Sequence, residues 1–307
     1  MLPIHFAPLQ GHTDDVYRRT HHHLIGSIER YYTPFVRVEA GGIRSKDRRD
    51  IDPKNNTGVP VTPQIIFRDR KELLYLIGEI ESLGYTTIDL NMGCPFPLQA
   101  RHGRGSGILA HTDIITEIAE AIKTNPHLTF SVKMRLGWED PEEWKPVLEI
   151  LNDTPLAHIS LHPRTGTQQY KGAIDLESFE HFYDTCQHPI IYNGDLTALS
   201  QLHEMETRYP RLAGLMLGRG LLCCPSLARE YVEGREFTHK EHIYTLRNLH
   251  TKLMEQYANI VKGDTQLHSK MRTYWEYTEP LIGHKPYKKI MKSGNLRNYL
   301  NAIEELL

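Results

Sequence analysis

Cysteine is scarce in this chain: its 307 residues include four, Cys94, Cys186, Cys223 and Cys224. They form no CxxC pair, and the adjacent Cys223-Cys224 dipeptide lacks the usual spacing of zinc ligands, so they read as reduced thiols. Long hydrophobic runs are missing too. Nothing reaches the ~20 apolar residues of a membrane span, and Met1 leads into Ile4-His5-Phe6-Ala7-Pro8 without the basic and apolar segments of a secretory signal. A cytoplasmic protein is the expectation. The run His21-His22-His23 has no spaced carboxylate or cysteine partners, so it reads as a solvated helix face and no metal is expected. Net charge is also nearly absent, at a formal −2, so its distribution carries more than its sum. Residues 238–307 hold 11 Lys+Arg against 7 Asp+Glu, an excess of +4, which leaves 25 against 31, or −6, for residues 1–237.

What is present points to a globular α/β chain. Hydrophobic residues make up 39% and charged residues 24%, enough to bury a large core. Short β-branched or apolar runs at 4–8, 30–36, 61–66, 87–90, 130–134, 158–161, 190–192 and 215–217 alternate with amphipathic segments such as 71–83 and 113–123. Eight such runs match a closed (β/α)8 TIM barrel, which takes about 250 residues and leaves room for a small second domain. The polar, glycine-containing stretch 39–60 reads as an excursion over the barrel mouth. After Tyr231-Val232-Glu233-Gly234 the strand pattern ends. Leu246, Leu249, Leu253, Tyr257 and Ile260 continue at helical spacing, and Pro280 and the 283–286 stretch divide the tail into at least three helices. The predicted organisation is a catalytic barrel over 1–237 followed by a small all-helical domain over 238–307.

Catalytic groups of such barrels lie at the C-terminal ends of the strands. Here those ends carry Pro8-Leu9-Gln10, Gln64, Asn91-Met92-Gly93-Cys94-Pro95, Lys133 with Arg135, His162 with Arg164, Asn193-Gly194-Asp195 and Gly218-Arg219-Gly220. The last two groups suit a phosphate: their glycines permit close backbone approach, and Arg219 adds a charged fork. Lys133 interrupts an apolar strand, where a charge must be paired or functional. A fixed cation there would stabilise the anionic reduced ring of a flavin at its N1 and C2=O edge, with Gln64 bonding the same edge. His162 is open to three readings: general acid, phosphate ligand or hydrogen-bonded barrel histidine. Cys94, between a glycine and a proline at the mouth, reads as a proton donor, whereas Cys186, Cys223 and Cys224 read as structural.

With these residues in place, Asn91-Met92-Gly93-Cys94-Pro95 resembles the dihydrouridine synthase signature Asn-x-Gly-Cys-Pro. Ala7-Pro8-Leu9 with Thr13-Asp14 is similar to the family's Ala-Pro-Met…Thr-Asp segment, and 131–137 to its Val-Lys-Met/Val-Arg-Leu-Gly strand; 161–165, 193–195 and 217–220 also match. The resemblance implies an FMN-dependent, NADPH-driven reduction of the uracil C5=C6 bond in tRNA. By it, Pro8, Leu9, Gln64, Lys133, His162, Asn193, Gly194, Asp195, Gly218 and Arg219 hold FMN. Hydride passes from N5 to uracil C6, Cys94 protonates C5, Asn91 orients the uracil, and Arg37, Arg135 and Arg164 contact RNA. The helical tail is similar to the family's RNA-binding domain, with Lys285, Lys288, Lys289, Lys292, Tyr287 and Trp275 as charge and stacking surfaces. Three departures stand out: Pro97 and Leu98 where many members have a lysine, Leu9 for methionine, and Pro34 for an acidic residue. Two other readings compete: an FMN-dependent reductase of a free small pyrimidine, and an RNA-binding protein without catalysis.

Overall fold

A period of two along each strand decides where the core lies. The structure, a computed structural model, describes residues 1–306. Its strands are β1 (Ile4–Phe6), β2 (Arg30–Tyr32), β3 (Val38–Glu39), β4 (Gly42–Ile43), β5 (Val61–Thr62), β6 (Gln64–Ile65), β7 (Thr87–Met92), β8 (Thr129–Gly137), β9 (Leu156–Thr165), β10 (Ile190–Tyr192) and β11 (Leu212–Leu217). All but the antiparallel β3–β4 hairpin run parallel in one sheet of order β5-β2-β1-β11-β10-β9-β8-β7-β6. β5 and β6 flank Pro63, which has no N–H for the ladder, so the stretch expected as one strand is split in two. Its first half pairs with β2 and its second with β7, closing a ring of eight staves. Pro34 cuts the second run in the same way: β2 stops at Tyr32, and Val36 rejoins through a single bridge to Ile65.

Along β8, Phe130, Val132, Met134 and Leu136 join the buried apolar core, while Ser131, Lys133 and Arg135 take the alternate face and point into the barrel. The helices close over the outward face. Asp69 caps Arg70–Ser82 by accepting the Glu72 N–H, and Leu73, Leu76, Ile77 and Ile80 supply its buried stripe. Inside the ring, apolar filling is slight: Ala7, Tyr32, Ile191 and Met216 form a small cluster of their own. The remaining interior is polar, and that polarity builds the site.

Stretch 39–60 reaches the mouth only in part. Its hairpin brings Arg44 to the opening, but the Ser45–Ile51 helix packs back on the wall, where Asp50 accepts the Asp15 N–H. His21 departs from the solvated face expected for it. The ring is fully buried, with Nδ1 2.8 Å from Tyr31 Oη and Nε2 2.9 Å from the Pro225 carbonyl, and only His23 of the three is exposed.

The helical tail starts at a capping box, Thr238 with Glu241, and comprises His239–Ala258, Gly263–Trp275, Glu279–Ile282, His284–Met291 and Leu296–Leu306. Leu246, Leu249, Leu253 and Tyr257 are buried as their spacing predicts, whereas Ile260 lies beyond the helix end and is exposed. Polar contacts tie the tail to the barrel: Tyr257 Oη donates to Asp14 (2.6 Å), Lys270 pairs with Asp14 (2.8 Å), and Arg19 donates to Gln256 (2.7 Å). Cys224, Ser226, Glu230 and His242 form a hydrogen-bonded knot at the same junction. Among the described residues, no helix is long and apolar enough to cross a membrane.

Candidate active site at the barrel mouth

The C-terminal strand ends surround a cavity of about 1070 Å³. Pro8, Leu9, Arg37, Gln64, Asn91, Cys94, Lys133, Arg135, His162, Asn193, Gly194, Asp195, Gly218 and Arg219 all line it. Arg164, expected at the same mouth, does not line it, nor do Trp275, Tyr287 and the tail lysines. Lys133 rises from the middle of β8, where its Nζ has no hydrogen bond or ion pair among the described residues; burial, helped by neighbouring Arg135, lowers its pKa to about 8. Asp89 lies near enough to favour its charged form, but burial outweighs that attraction, and the ammonium faces the cavity. His162 stands beside it. Burial, then the positive charges of Arg135, Lys133, Arg164 and Arg219, push its pKa well below the ordinary histidine range. A ring so disposed favours the neutral form, which suits a phosphate ligand or a hydrogen-bonded barrel histidine better than a general acid; Arg164 Nη1 lies 3.3 Å from its Nε2.

Cys94 sits on a stapled loop. Asn91 Oδ1 accepts the N–H groups of Gly93 (3.1 Å) and Cys94 (2.8 Å), an Asx turn that fixes the backbone before the thiol. The Cys94 carbonyl accepts from the Ser106 N–H (3.1 Å) and hydroxyl (2.9 Å). Gly105 makes that approach possible: its φ is +60°, and a Cβ there would lie 2.7 Å from the Cys94 side chain. Burial raises the Cys94 pKa even with Arg135 and Lys133 nearby, so the thiol holds its proton. Asn91 is thus largely spent on the loop, its Nδ2 donating to Gln64 Oε1 at 2.7 Å, which makes it a brace for Cys94 more than a free contact for uracil.

The opposite end is built from arginines around one carboxylate. Arg164 and Arg219 both donate to Asp195; burial works against that charge, yet the two guanidinium groups hold its pKa below the ordinary carboxylate range. Arg164 is 2% exposed and also donates to the Gly172 carbonyl at 2.7 Å, so its expected RNA contact gives way to bracing Asp195. Arg135, 1% exposed, likewise supports the walls by donating to the Gly93 (3.1 Å) and Thr165 (2.7 Å) carbonyls. Gly220 is a packing glycine, since a Cβ there would fall 2.0 Å from the Leu196 carbonyl. At the rim, Arg37 pairs with Glu39 (2.9 Å) and remains partly exposed. Cys223, expected to be structural, lines the cavity beside Tyr277 and Pro280 of the tail.

The family model for dihydrouridine synthase (Dus) matches residues 5–305, which spans barrel and tail together. This chain belongs to the dihydrouridine synthase family. It is 30% identical over 265 residues to a probable tRNA-dihydrouridine synthase of Staphylococcus aureus (strain COL), covering 82% of this chain and 77% of that one. It is 29% identical over 232 residues to the tRNA-dihydrouridine(16) synthase of Neisseria meningitidis serogroup B (strain ATCC BAA-335 / MC58), covering 73% and 69%. Among solved structures, morphinone reductase superposes with a TM-score of 0.52 at 9% identity, over 77% of this chain and 87% of that one. The old yellow enzyme from Trypanosoma cruzi gives 0.51 at 10%, over 76% and 89%. Those two likenesses concern the barrel fold.

Several residues of this dihydrouridine synthase escaped the sequence reading. Tyr170, in the loop after β9, lines the cavity with Arg219 4.4 Å and Arg135 5.4 Å from its ring centroid. Nothing local in sequence marks it. Ser106 was signalled only by the glycines at 103, 105 and 107. Asp89 was readable: it lies two residues before Asn91, on the same inward face of β7.

Proposed function

We propose that this protein is a cytoplasmic tRNA-dihydrouridine synthase that reduces the C5=C6 bond of a uridine in tRNA, with FMN as bound cofactor and NADPH as reductant. The observation that carries the reading is the Cys94 thiol on a braced loop over a cavity into which Lys133 points with no hydrogen bond or ion pair among the described residues. The donor set fits FMN. Lys133, Arg135 and Arg219 face a single carboxylate, Asp195, which leaves positive charge for a phosphate and for an electron-rich pyrimidine edge.

Lys133 would meet the flavin's pyrimidine edge, with Gln64, its amide already bonded to Asp89 and Asn91, as the support beneath; Pro8, Leu9, His162 and Asn193 would meet the ring and ribityl chain, and Gly194, Asp195, Gly218 and Arg219 the phosphate. When bound, FMN supplies the two-electron chemistry linking NADPH to the uracil. Cys94 then serves as the acid: its Sγ–H delivers the proton to C5 as C6 gains hydride, and the nearby cations ease the resulting thiolate charge. A uridine reaches that position only when turned out of its loop, at a cost of a few kcal/mol. Arg37 and Arg44 at the rim, with exposed Lys285, Lys288 and Lys292 on the 238–307 domain, offer the phosphate contacts that offset it.

The test is a visible spectrum of the purified protein, then NADPH-driven flavin reduction and reoxidation with unmodified tRNA, with dihydrouridine measured in the product. Flavin bands with tRNA-dependent dihydrouridine are the expected result. Flavin without RNA turnover but with turnover of a free pyrimidine would replace this reading with the small-pyrimidine reductase.

A further inference from the structure

A chain of side-chain hydrogen bonds runs beneath the cavity and ends at Cys94. Ser131 Oγ donates to Asp89 (2.6 Å), and so does Gln64 Nε2 (2.7 Å); Asn91 Nδ2 donates to Gln64 Oε1 (2.7 Å), and the Cys94 N–H donates to Asn91 Oδ1 (2.8 Å). Asp89 and Gln64 have no exposed surface, and Asp89 does not line the cavity. Register explains the proximity: Gln64 is the β6 partner of Asp89, and Ser131 its β8 partner.

The chain has a direction, fixed at one end by the Gly93 and Cys94 N–H groups, which can only donate, and at the other by Asp89. Either amide could turn over, exchanging donor for acceptor, without changing shape. An ionised carboxylate accepts and never donates. With its Nε2 committed to Asp89, Gln64 shows oxygen to Asn91; Asn91 must answer with Nδ2 and therefore turns Oδ1 toward the N–H groups of Gly93 and Cys94. The reverse arrangement would set the Asn91 NH2 against those two donors, and buried donors facing each other lose their partners. Burial raises the Asp89 pKa only to about 6, so the carboxylate is mainly ionised at neutral pH.

We propose that Asp89 is a positioning residue for the uridine-reducing reaction: by fixing Gln64 it presents an acceptor to the Asn91 amide, and so supports the orientation in which Asn91 holds Cys94 in place. This rests on the reading of Cys94 as the acid, but the chain can be tested without RNA. The variants are Asn91→Asp, Asp89→Asn and the pair together, all in the FMN-loaded enzyme. Readouts are the melting temperature and the alkylation rate of Cys94, resolved from the other cysteines by peptide mapping. Asn91→Asp puts an acceptor at both ends of Gln64, so it is expected to lower the melting temperature and change the Cys94 rate several-fold. Adding Asp89→Asn restores one donor end and is expected to return both readouts most of the way to wild type, with the two Gln64 links reversed and the Cys94 N–H still donating to residue 91. A pair no more stable than Asn91→Asp alone, or one that regains stability with Cys94 still altered, overturns the proposal. Repeating the cycle in Gln64→Met separates the chain from direct repulsion between two carboxylates. Coupling carried by the amide disappears there, and coupling that persists overturns the proposal.

Discussion

The floor and the mouth of the barrel are both polar, and they differ in whether their groups have partners. On the floor, Tyr32 Oη lies 3.1 Å from His5 Nδ1 and 3.2 Å from His158 Nε2, a closed trio beneath the apolar layer of Ala7, Ile191 and Met216. At the mouth, His162, Arg135, Arg164, Arg219 and Asp195 are tied to one another or to the walls, while Lys133 is left facing the cavity. Buried polar groups that satisfy each other are scaffold; one left unpaired at a cavity wall is waiting for something from solution. By this criterion His5 and Lys133, both inward-facing, belong to different tasks.

Removing the reacting group at the mouth should have the largest effect. Cys94→Ala is expected to keep its flavin and lose tRNA reduction by roughly 10²- to 10⁴-fold, the usual worth of a positioned acid; single-turnover reoxidation with tRNA measures this, and full activity would remove Cys94 from the acid role. Next is Lys133→Met. It should weaken FMN binding by roughly 10- to 100-fold, in line with about 1.5–3 kcal/mol for a charged hydrogen bond, as flavin titration measures; unchanged affinity would remove Lys133 from the flavin site. A lower melting temperature of the flavin-free variant would show that the attraction between Lys133 and Asp89 outweighs the cost of burying the cation. The floor should behave in the opposite way. Tyr32→Phe strands two imidazole nitrogens and is expected to cost about 1–3 kcal/mol of stability while FMN affinity by titration stays unchanged.

Closed histidines also set the acid response. Burial first of all lowers His5 to about 3 and His21, His158 and His250 to about 4. The unfolded chain takes up these protons once pH falls below about 6.5, and the folded one does not. The stability they confer is therefore complete above that pH and drains away on descent toward 4. Asp50 and Asp89, raised to about 6 by burial, act in the other direction, since the fold holds their protons where the unfolded chain does not. The histidines outnumber them, so melting at about pH 5 should occur below melting at pH 7; a higher melting point at the acid pH would contradict the buried neutral assignment.

What the sequence disclosed follows from the same distinction. The barrel was legible because strand runs and helix stripes are local periodicities, and the mouth because a parallel barrel gathers its strand ends in one place. The two irregular strands were read as unbroken runs, although Pro34 ends β2 early and Pro63 divides the third stave. Partnerships were not legible, because they join residues far apart in the chain. His21 looked solvated until its contact with the Pro225 carbonyl was seen. Trp275 looked like a stacking surface, yet it is buried with Nε1 donating to Tyr299 Oη at 2.8 Å. Arg164 looked free to meet RNA and is held by Asp195. In each case residue type was read correctly as polar or aromatic, and the error lay in assuming the group had no partner inside the protein.

The tail allows the finest version of the comparison, between two adjacent lysines. Lys288 and Lys289 are both exposed on the His284–Met291 helix, but Lys289 is paired with Glu305 while Lys288 has no ion pair among the described residues. An exposed pair contributes little to stability, so neither Lys288→Ala nor Lys289→Ala should change folding. Binding to tRNA should separate them. A free lysine that meets a phosphate releases a counterion, and its loss flattens the dependence of log K on log salt by somewhat under one. A lysine already neutralised by a carboxylate has less to release, and must first leave Glu305. Lys288→Ala is therefore expected to weaken tRNA binding a few-fold and to flatten the salt slope, with Lys289→Ala changing both less; filter binding across a salt series resolves the two. Equal effects would show that the Glu305 pair opens freely on binding, and a larger effect at Lys289 would place the RNA path along the Glu305 side of the helix.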